Sequence, residues 1–188
     1  MRLFTALDIS SETRAALVAL LEQLRPVAPF RWSTPANLHI TTKFVGEWPD
    51  AKLDSLRAAL ARIPRPGAIE VSVRGLGWFP NPHSPRVLFA GIDFGPALPA
   101  LHRATDSACA ALGIPAETKE FHPHLTLARI RSADGLVEVR RRIAQLASDR
   151  FGAFAASSFH LYRSETGHPQ PGNNFGSVYE KLEEFPLL

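Results

Sequence analysis

The pattern His-x-Thr-x occurs twice in this chain, as His39-Ile40-Thr41-Thr42 and as His124-Leu125-Thr126-Leu127, each inside an apolar run that reads as a buried strand. Successive side chains of a strand point to opposite faces, so each copy presents one imidazole beside one hydroxyl. The copies lie 85 residues apart, each between helical patterns, which points to two related lobes rather than a solenoid with its shorter repeats. Facing strands then bring both motifs into one central cleft.

Connections decide the fold class. Strand patterns alternate with helical ones, but the links from Leu76 to Arg86 and from Tyr162 to Phe175 are too short for crossover helices. An α+β fold follows, with antiparallel sheets lining the cleft and helices outside. No linker or low-complexity segment divides residues 1–188, so they are read as a single domain made of two pseudo-symmetric lobes. At 188 residues such a chain buries about 70% of its unfolded surface without covalent staples.

The expected elements can be placed in order. Leu3–Ile9 reads as a strand, and Ser10 or Ser11 caps a helix from about Glu12 to Arg25, whose stripe is Leu17, Leu20, Leu21 and Leu24. Phe30–Trp32 is a short strand and Asn37–Val45 carries the first motif. A helix over Asp50–Arg62 leads to a strand over Ile69–Leu76 and a stiff proline-rich loop over 79–85. Arg86–Ile92 is a strand, and Leu98–Leu112 is a helix closed by Gly113. The second motif strand runs from Phe121 to Ile130. A helix over Leu136–Leu146 carries Arg140, Arg141 and Arg142 on its solvated face, and strands over Phe154–Tyr162 and Phe175–Phe185 finish the chain. Pro169–Asn174 is the best candidate for a mobile turn.

Composition narrows the classes. Net charge is +3, and arginine supplies 17 of the 21 basic residues, a bias suited to phosphate because guanidinium is a planar fork of donors. One cysteine, Cys109, rules out an intrachain disulfide and sits in a small-residue setting typical of a core. The opening Met1–Asp8 lacks a secretory apolar region, and the run Ala15–Leu21 is far too short for a bilayer. The expectation is a soluble, untargeted, cytoplasmic protein.

Histidine both takes and gives protons near neutrality. One imidazole of a pair can activate an attacking oxygen while the other protonates a leaving oxygen, which is a recipe for phosphodiester cleavage without a metal or other cofactor. Thr41 and Thr126 are placed to donate to phosphoryl oxygens as charge builds there. Arg129 and, more weakly, Lys43 are candidates to complete the cradle, and each is taken to need a bulge or strand end to reach the cleft. Phe79, in the proline-rich loop beside His83, is a candidate base-stacking platform.

Those residues also carry a resemblance. Met1-Arg2-Leu3-Phe4-Thr5-Ala6-Leu7-Asp8 and Asn37–Glu47 resemble the opening of the bacterial RNA 2',3'-cyclic phosphodiesterases, long called 2'-5' RNA ligases, of the 2H phosphoesterase superfamily. The likeness continues through Phe79–Pro82, Pro85–Leu88, Phe121–Arg129, Leu161–Ser164 and Tyr179–Leu182. The resemblance implies a bilobal, pseudo-twofold fold and an enzyme acting on RNA ends or nucleoside 2',3'-cyclic phosphates, with no membrane and no obligate protein partner. It implies opening of the cyclic phosphate to a 2'-phosphate, with His39 as proton donor to the 3' oxygen, His124 as proton acceptor from water, Thr41 and Thr126 holding the phosphate and Arg129 facing it. The resemblance also implies a reversible 2'-5' RNA ligase activity. Thr42 stands where an apolar residue is common, on the face away from the cleft, and a packing consequence alone is expected.

Two other readings use the same residues. His122 and His124 have metal-ligand spacing, which would make a metal-dependent phosphohydrolase, but Pro123 opposes regular pairing there and no nearby Asp or Cys completes a ligand pattern. A non-catalytic RNA-end binding module would keep the cleft without turnover. His83, His102, His160 and His168 read as surface or core residues.

Overall fold

The computed structural model describes the backbone of residues 1–170 and 173–188, and side chains outside 168–175. Its elements are β1 (Arg2–Asp8), α1 (Ser11–Leu24), β2 (Arg31–Trp32), β3 (His39–Glu47), α2 (Leu53–Ala61), β4 (Ile69–Phe79), β5 (Val87–Phe94), α3 (Ala97–Ala110), β6 (His124–Arg129), α4 (Leu136–Ala144), β7 (Arg150–Ala156), β8 (Ser158–Gln170) and β9 (Asn173–Pro186). The fold is α+β. One sheet has the order β3-β1-β8-β9 and the other β2-β6-β5-β4-β7, with antiparallel pairing throughout the described ladders. Of the mobile turn expected over Pro169–Asn174, the described backbone puts Pro169 and Gln170 at the end of β8 and Asn173 and Asn174 at the start of β9, while residues 171 and 172 and the side chain of His168 lie outside the described residues.

Local chemistry accounts for the helices. Ser10 caps α1, its hydroxyl accepting from the Thr13 N–H at 3.1 Å. The stripe of Leu17, Leu20, Leu21 and Leu24 is fully buried against the sheet that contains β7, and truncating any one to Ala costs about 2–5 kcal/mol. Gly113 takes φ +84° just after α3, a left-handed turn that a side chain would strain. α3 covers β3 and β4. Among the described residues no helix is long and apolar enough to cross a membrane.

The two motif strands share a backbone irregularity. In the β1–β3 ladder Ala6 faces Thr41 and Thr5 faces Lys43, which leaves Thr42 as an extra residue. In the β5–β6 ladder Phe89 faces Thr126 and Leu88 faces Ala128, which leaves Leu127 extra. Both bulges fall on the fourth residue of the motif. The carbonyl of each extra residue is caught: Thr42 O lies 2.7 Å from His102 Nδ1, and Leu127 O accepts from the Ser33 N–H at 2.8 Å. Thr42 is buried with its hydroxyl 2.7 Å from that of Thr5, the packing consequence expected of it.

Three expectations need correction. The second motif strand begins at His124, not Phe121, because Pro123 has no N–H for a ladder, and Phe121 instead stacks on the buried His102 ring at 4.0 Å. The run Phe154–Tyr162 is not one strand: β7 pairs with β4 in one sheet and β8 with β1 in the other, so the chain changes sheets at Ser157. Arg140 is half-buried with its guanidinium 5.5 Å from the Trp78 ring centre and a bond to the Pro82 carbonyl, while Arg141 and Arg142 stay exposed.

Candidate active site

β3 and β6 meet where the sheets approach, and His39, Thr41, His124 and Thr126 line one cleft of about 660 Å³. Period-two alternation puts imidazole and hydroxyl of each motif on the cleft face. The bulges then change which residue follows them into it. Arg129, five residues beyond His124, would face away in an unbroken strand, but the extra residue Leu127 turns it in, and it lines the cleft.

Lys43 goes the other way. The expectation that Lys43 needs a bulge to reach the cleft is corrected: at an even spacing from His39 it would share that face in an unbroken strand, and it is the bulge at Thr42 that turns it out of the cleft and brings in Phe44. Lys43 is buried, with Nζ 2.6 Å from Asp106 Oδ1 and donating to the Pro115 carbonyl at 3.0 Å. It is therefore no phosphate ligand. Burial alone would raise the Asp106 carboxyl, but the Lys43 bond holds it below its ordinary value.

Both imidazoles are clamped alike. His39 Nδ1 lies 2.7 Å from the Asn37 carbonyl oxygen and His124 Nδ1 lies 2.8 Å from that of His122, in each case two residues upstream. A carbonyl can only accept, so Nδ1 carries the proton and the neutral ring leaves Nε2 bare. Thr41 Oγ1 is 3.0 Å from His39 Nε2. Asn37 is tied in turn through its side-chain amide to the Ser177 carbonyl at 2.6 Å, fixing the clamp to β9.

Their surroundings differ. His39 packs against Phe4 at 4.9 Å and edge-on to Tyr179 at 5.2 Å, and burial pushes its pKa down to about 4. The Asn37 carbonyl and Asp8 pull upward, and His124 and Arg129 add to the depression. His124 is lowered too, first by burial and then by Arg129 and His122, against the pull of the His122 carbonyl. Phe79 meets the His124 ring edge-on at 5.1 Å and stacks on Phe89 at 4.3 Å, so it braces the imidazole while lining the cleft. Gly77 makes room: a Cβ there would lie 2.3 Å from the Phe89 ring.

Behind His39 sits a polar cluster. Asp8, the register partner of His39, accepts from the Tyr162 hydroxyl and from Lys181 Nζ at 2.6 Å. Burial opposes ionisation of Asp8, but the bonds from Lys181 and Tyr162 bring its carboxyl below the usual range. His122 is exposed with Nε2 3.5 Å from Glu120, and among the described residues no three His, Cys, Asp or Glu side chains converge in a metal-holding group. Cys109 and His160 are buried and His83 is exposed.

Arg2, Arg31, Phe44 and Tyr179 also line the cleft, and motif reasoning does not reach them. Arg31 belongs to a two-residue strand and Phe44 depends on the bulge, so neither has a local pattern. The repeated residue-minus-two carbonyl clamp also escapes a reading of side chains, since it is backbone.

Comparison with known proteins agrees with this arrangement. The sequence model of a family described as LigT like Phosphoesterase matches residues 7–89 and 93–172. An RNA 2',3'-cyclic phosphodiesterase of Thermus thermophilus is 34% identical over 196 residues, covering 100% of this chain and 90% of that protein. One of Methanocaldococcus jannaschii is 31% identical, covering 98% and 100%. Among solved structures, TT0787 of Thermus thermophilus superposes with TM-score 0.79 at 32% identity, covering 100% of this chain and 98% of that one. E. coli LigT complexed with 3'-AMP superposes with TM-score 0.76 at 25% identity, covering 98% and 97%.

Proposed function

The chain belongs to the LigT-like phosphoesterase family, and from that premise we propose that it is an RNA 2',3'-cyclic phosphodiesterase, which opens a terminal cyclic phosphate to a 2'-phosphate with two histidines and no metal. What supports the mechanism is one observation: two imidazoles line a single cleft, each with Nδ1 bound to the carbonyl two residues upstream, which leaves Nε2 as the nitrogen without a proton.

In the reading, His124 Nε2 takes a proton from water, which attacks phosphorus opposite the 3' oxygen. His39 Nε2 gives a proton to that oxygen as its bond to phosphorus breaks. Thr41 and Thr126 hold the non-bridging oxygens, with Arg129 facing the phosphate. Burial disfavours the charged form of both rings, whereas the donor must start protonated. The anionic substrate supplies the missing charge, because a phosphate beside an imidazole raises its pKa. Asp8 is among the groups that raise His39, while the side chains acting on His124 are Arg129 and His122, and the donor and acceptor roles are those the family resemblance implies. With a 5'-hydroxyl in place of water the same displacement, in which the 3' oxygen leaves, gives a 2'-5' linkage, and in the reverse direction the 3'-hydroxyl attacks that linkage, the 5' oxygen leaves and the two rings exchange roles.

The reading also takes the chain as one domain of two related lobes. The equal bulges and the matching orders β3-β1-β8-β9 and β6-β5-β4-β7 support it. Lone buried Cys109 suits work in the reducing cytoplasm.

Phosphorus NMR of an oligonucleotide ending in a 2',3'-cyclic phosphate, incubated with chelator-treated enzyme, tests the proposal. A 2'-phosphate product is expected. A 3'-phosphate product overturns the leaving-group assignment, turnover only after adding a divalent ion overturns the metal-free mechanism, and no conversion at high enzyme overturns the activity.

A further inference from the structure

Three arginines line the cleft, Arg2, Arg31 and Arg129, and no Asp or Glu does so among the described residues. Within the described residues none of the three makes an ion pair or side-chain hydrogen bond, whereas Arg25, Arg57 and Arg74 are each bound to a carbonyl or a carboxylate. A cyclic phosphodiester carries one negative charge. Three unpaired guanidiniums exceed what that ligand can neutralise.

Register sharpens the point. Arg31 and Arg129 stand directly opposite each other in the β2–β6 ladder, where facing side chains start about 4.5–5.5 Å apart and like charges repel. β2 does not need that repulsion to stay in place. Trp32 is buried with its indole N–H on the Ala28 carbonyl at 3.0 Å, and Ser33 donates through N to Leu127 O at 2.8 Å and through Oγ to Thr126 O at 2.7 Å. The edge strand is stapled by its neighbours while the Arg31 side chain has no ion-pair or hydrogen-bond partner among the described residues. Such a pair becomes favourable when anions lie between and beside its members.

We propose that Arg31, beside Arg129 and in the same cleft as Arg2, forms a second phosphate subsite, which takes the phosphodiester on the 5' side of the terminal nucleotide and so makes the enzyme select oligonucleotide ends over mononucleotides. The inference rests on the proposed cyclic phosphodiesterase activity and extends it to substrate length. Arg129 faces the reacting phosphorus, and Arg31 is its register partner on the neighbouring strand, in the same cleft. Next along an RNA strand, the anion nearest the terminal phosphate is the backbone phosphodiester.

Initial rates on a nucleoside 2',3'-cyclic phosphate and on a trinucleotide with the same cyclic end test this. For the wild type, kcat/KM is expected to be about tenfold or more higher on the trinucleotide, the size of one charge-assisted contact. Arg31→Ala should lower the trinucleotide value about tenfold more than the mononucleotide value, chiefly through KM, and flatten its dependence on salt. Arg31→Gln, which keeps the stem, gives the same comparison should the shorter side chain loosen the edge. Equal wild-type values for the two substrates, or equal losses on both in the variants, would overturn the second subsite while leaving the activity intact. Turnover of neither substrate by the wild type would overturn the activity and this inference together.

Discussion

The strands β3 and β6 carry the same motif, the same bulge and the same carbonyl clamp, yet they end in opposite chemistry. After its bulge β3 buries Lys43 and offers Phe44 to the cleft, while β6 buries Ala128 and offers Arg129. His39 lies among aromatic rings with a carboxylate behind it, and His124 lies beside an arginine. The difference teaches that duplicated backbone geometry delivers the pair of imidazoles, and that flanking residues make their environments unequal, which a donor and an acceptor require.

The largest expected effect concerns what the strands share. If each imidazole transfers one proton, His39→Ala and His124→Ala should each lower kcat by about 10² to 10⁴, or roughly 3–5 kcal/mol of barrier. Steady-state rates on a cyclic-phosphate substrate check this, and a variant retaining wild-type turnover breaks the symmetry at its root.

Next come the buried residues that distinguish the strands. Lys43→Met leaves Asp106 without its cation and should cost about 3 kcal/mol in urea unfolding, whereas adding Asp106→Leu should recover part of that loss, since a hydrophobic pair replaces the ion pair while the Glu117 N–H loses its acceptor. No recovery in the double variant would mean that Lys43 acts otherwise than through Asp106.

A smaller effect separates the residues that follow the bulges. Arg129→Ala should reduce kcat/KM by about 10- to 100-fold through a lost charge-assisted contact, while Phe44→Ala, which removes an aromatic surface but no charge, should cost less than tenfold. The reverse order would show that the strands had been assigned the wrong roles.

The weakest effect is a pH dependence of stability. With a folded-state pKa of about 4, below the roughly 6.5 of a free imidazole, His39 binds a proton more readily when unfolded. Its contribution is present above about pH 6.5 and lost as pH falls toward 4. Urea midpoints at pH 7 and 5 should therefore differ more for the wild type than for His39→Gln, and saturating nucleoside 2'-phosphate should narrow the gap by favouring the charged ring. Equal gaps in both proteins would contradict the neutral buried imidazole.

Local pattern carried much of this molecule and non-local register the rest. Ser10, the leucines of α1 and Gly113 announce a helix start, a buried stripe and a stop within a few residues of one another. His39 and His124 are legible because alternation fixes their face over two or three positions. Thr42 and Leu127 give no sign of being bulges, since a bulge is a count made against the partner strand. Lys43, at an even spacing from His39, carries no local mark of the bulge that turns it into the core, and Arg31 lies in a two-residue strand that has no period. The break at Ser157 is invisible in a pattern that stays strand-like on both sides while the chain changes sheets.

The central claim is that the two imidazoles act as one unit on one phosphorus. A kinetic double-mutant cycle on His39→Ala and His124→Ala, with turnover of a cyclic-phosphate-ended oligonucleotide as readout, tests it most directly. The account predicts that the double variant is scarcely slower than the worse single one, because losing either ring already removes the concerted exchange. Losses that multiply, each ring contributing in full without the other, would contradict it.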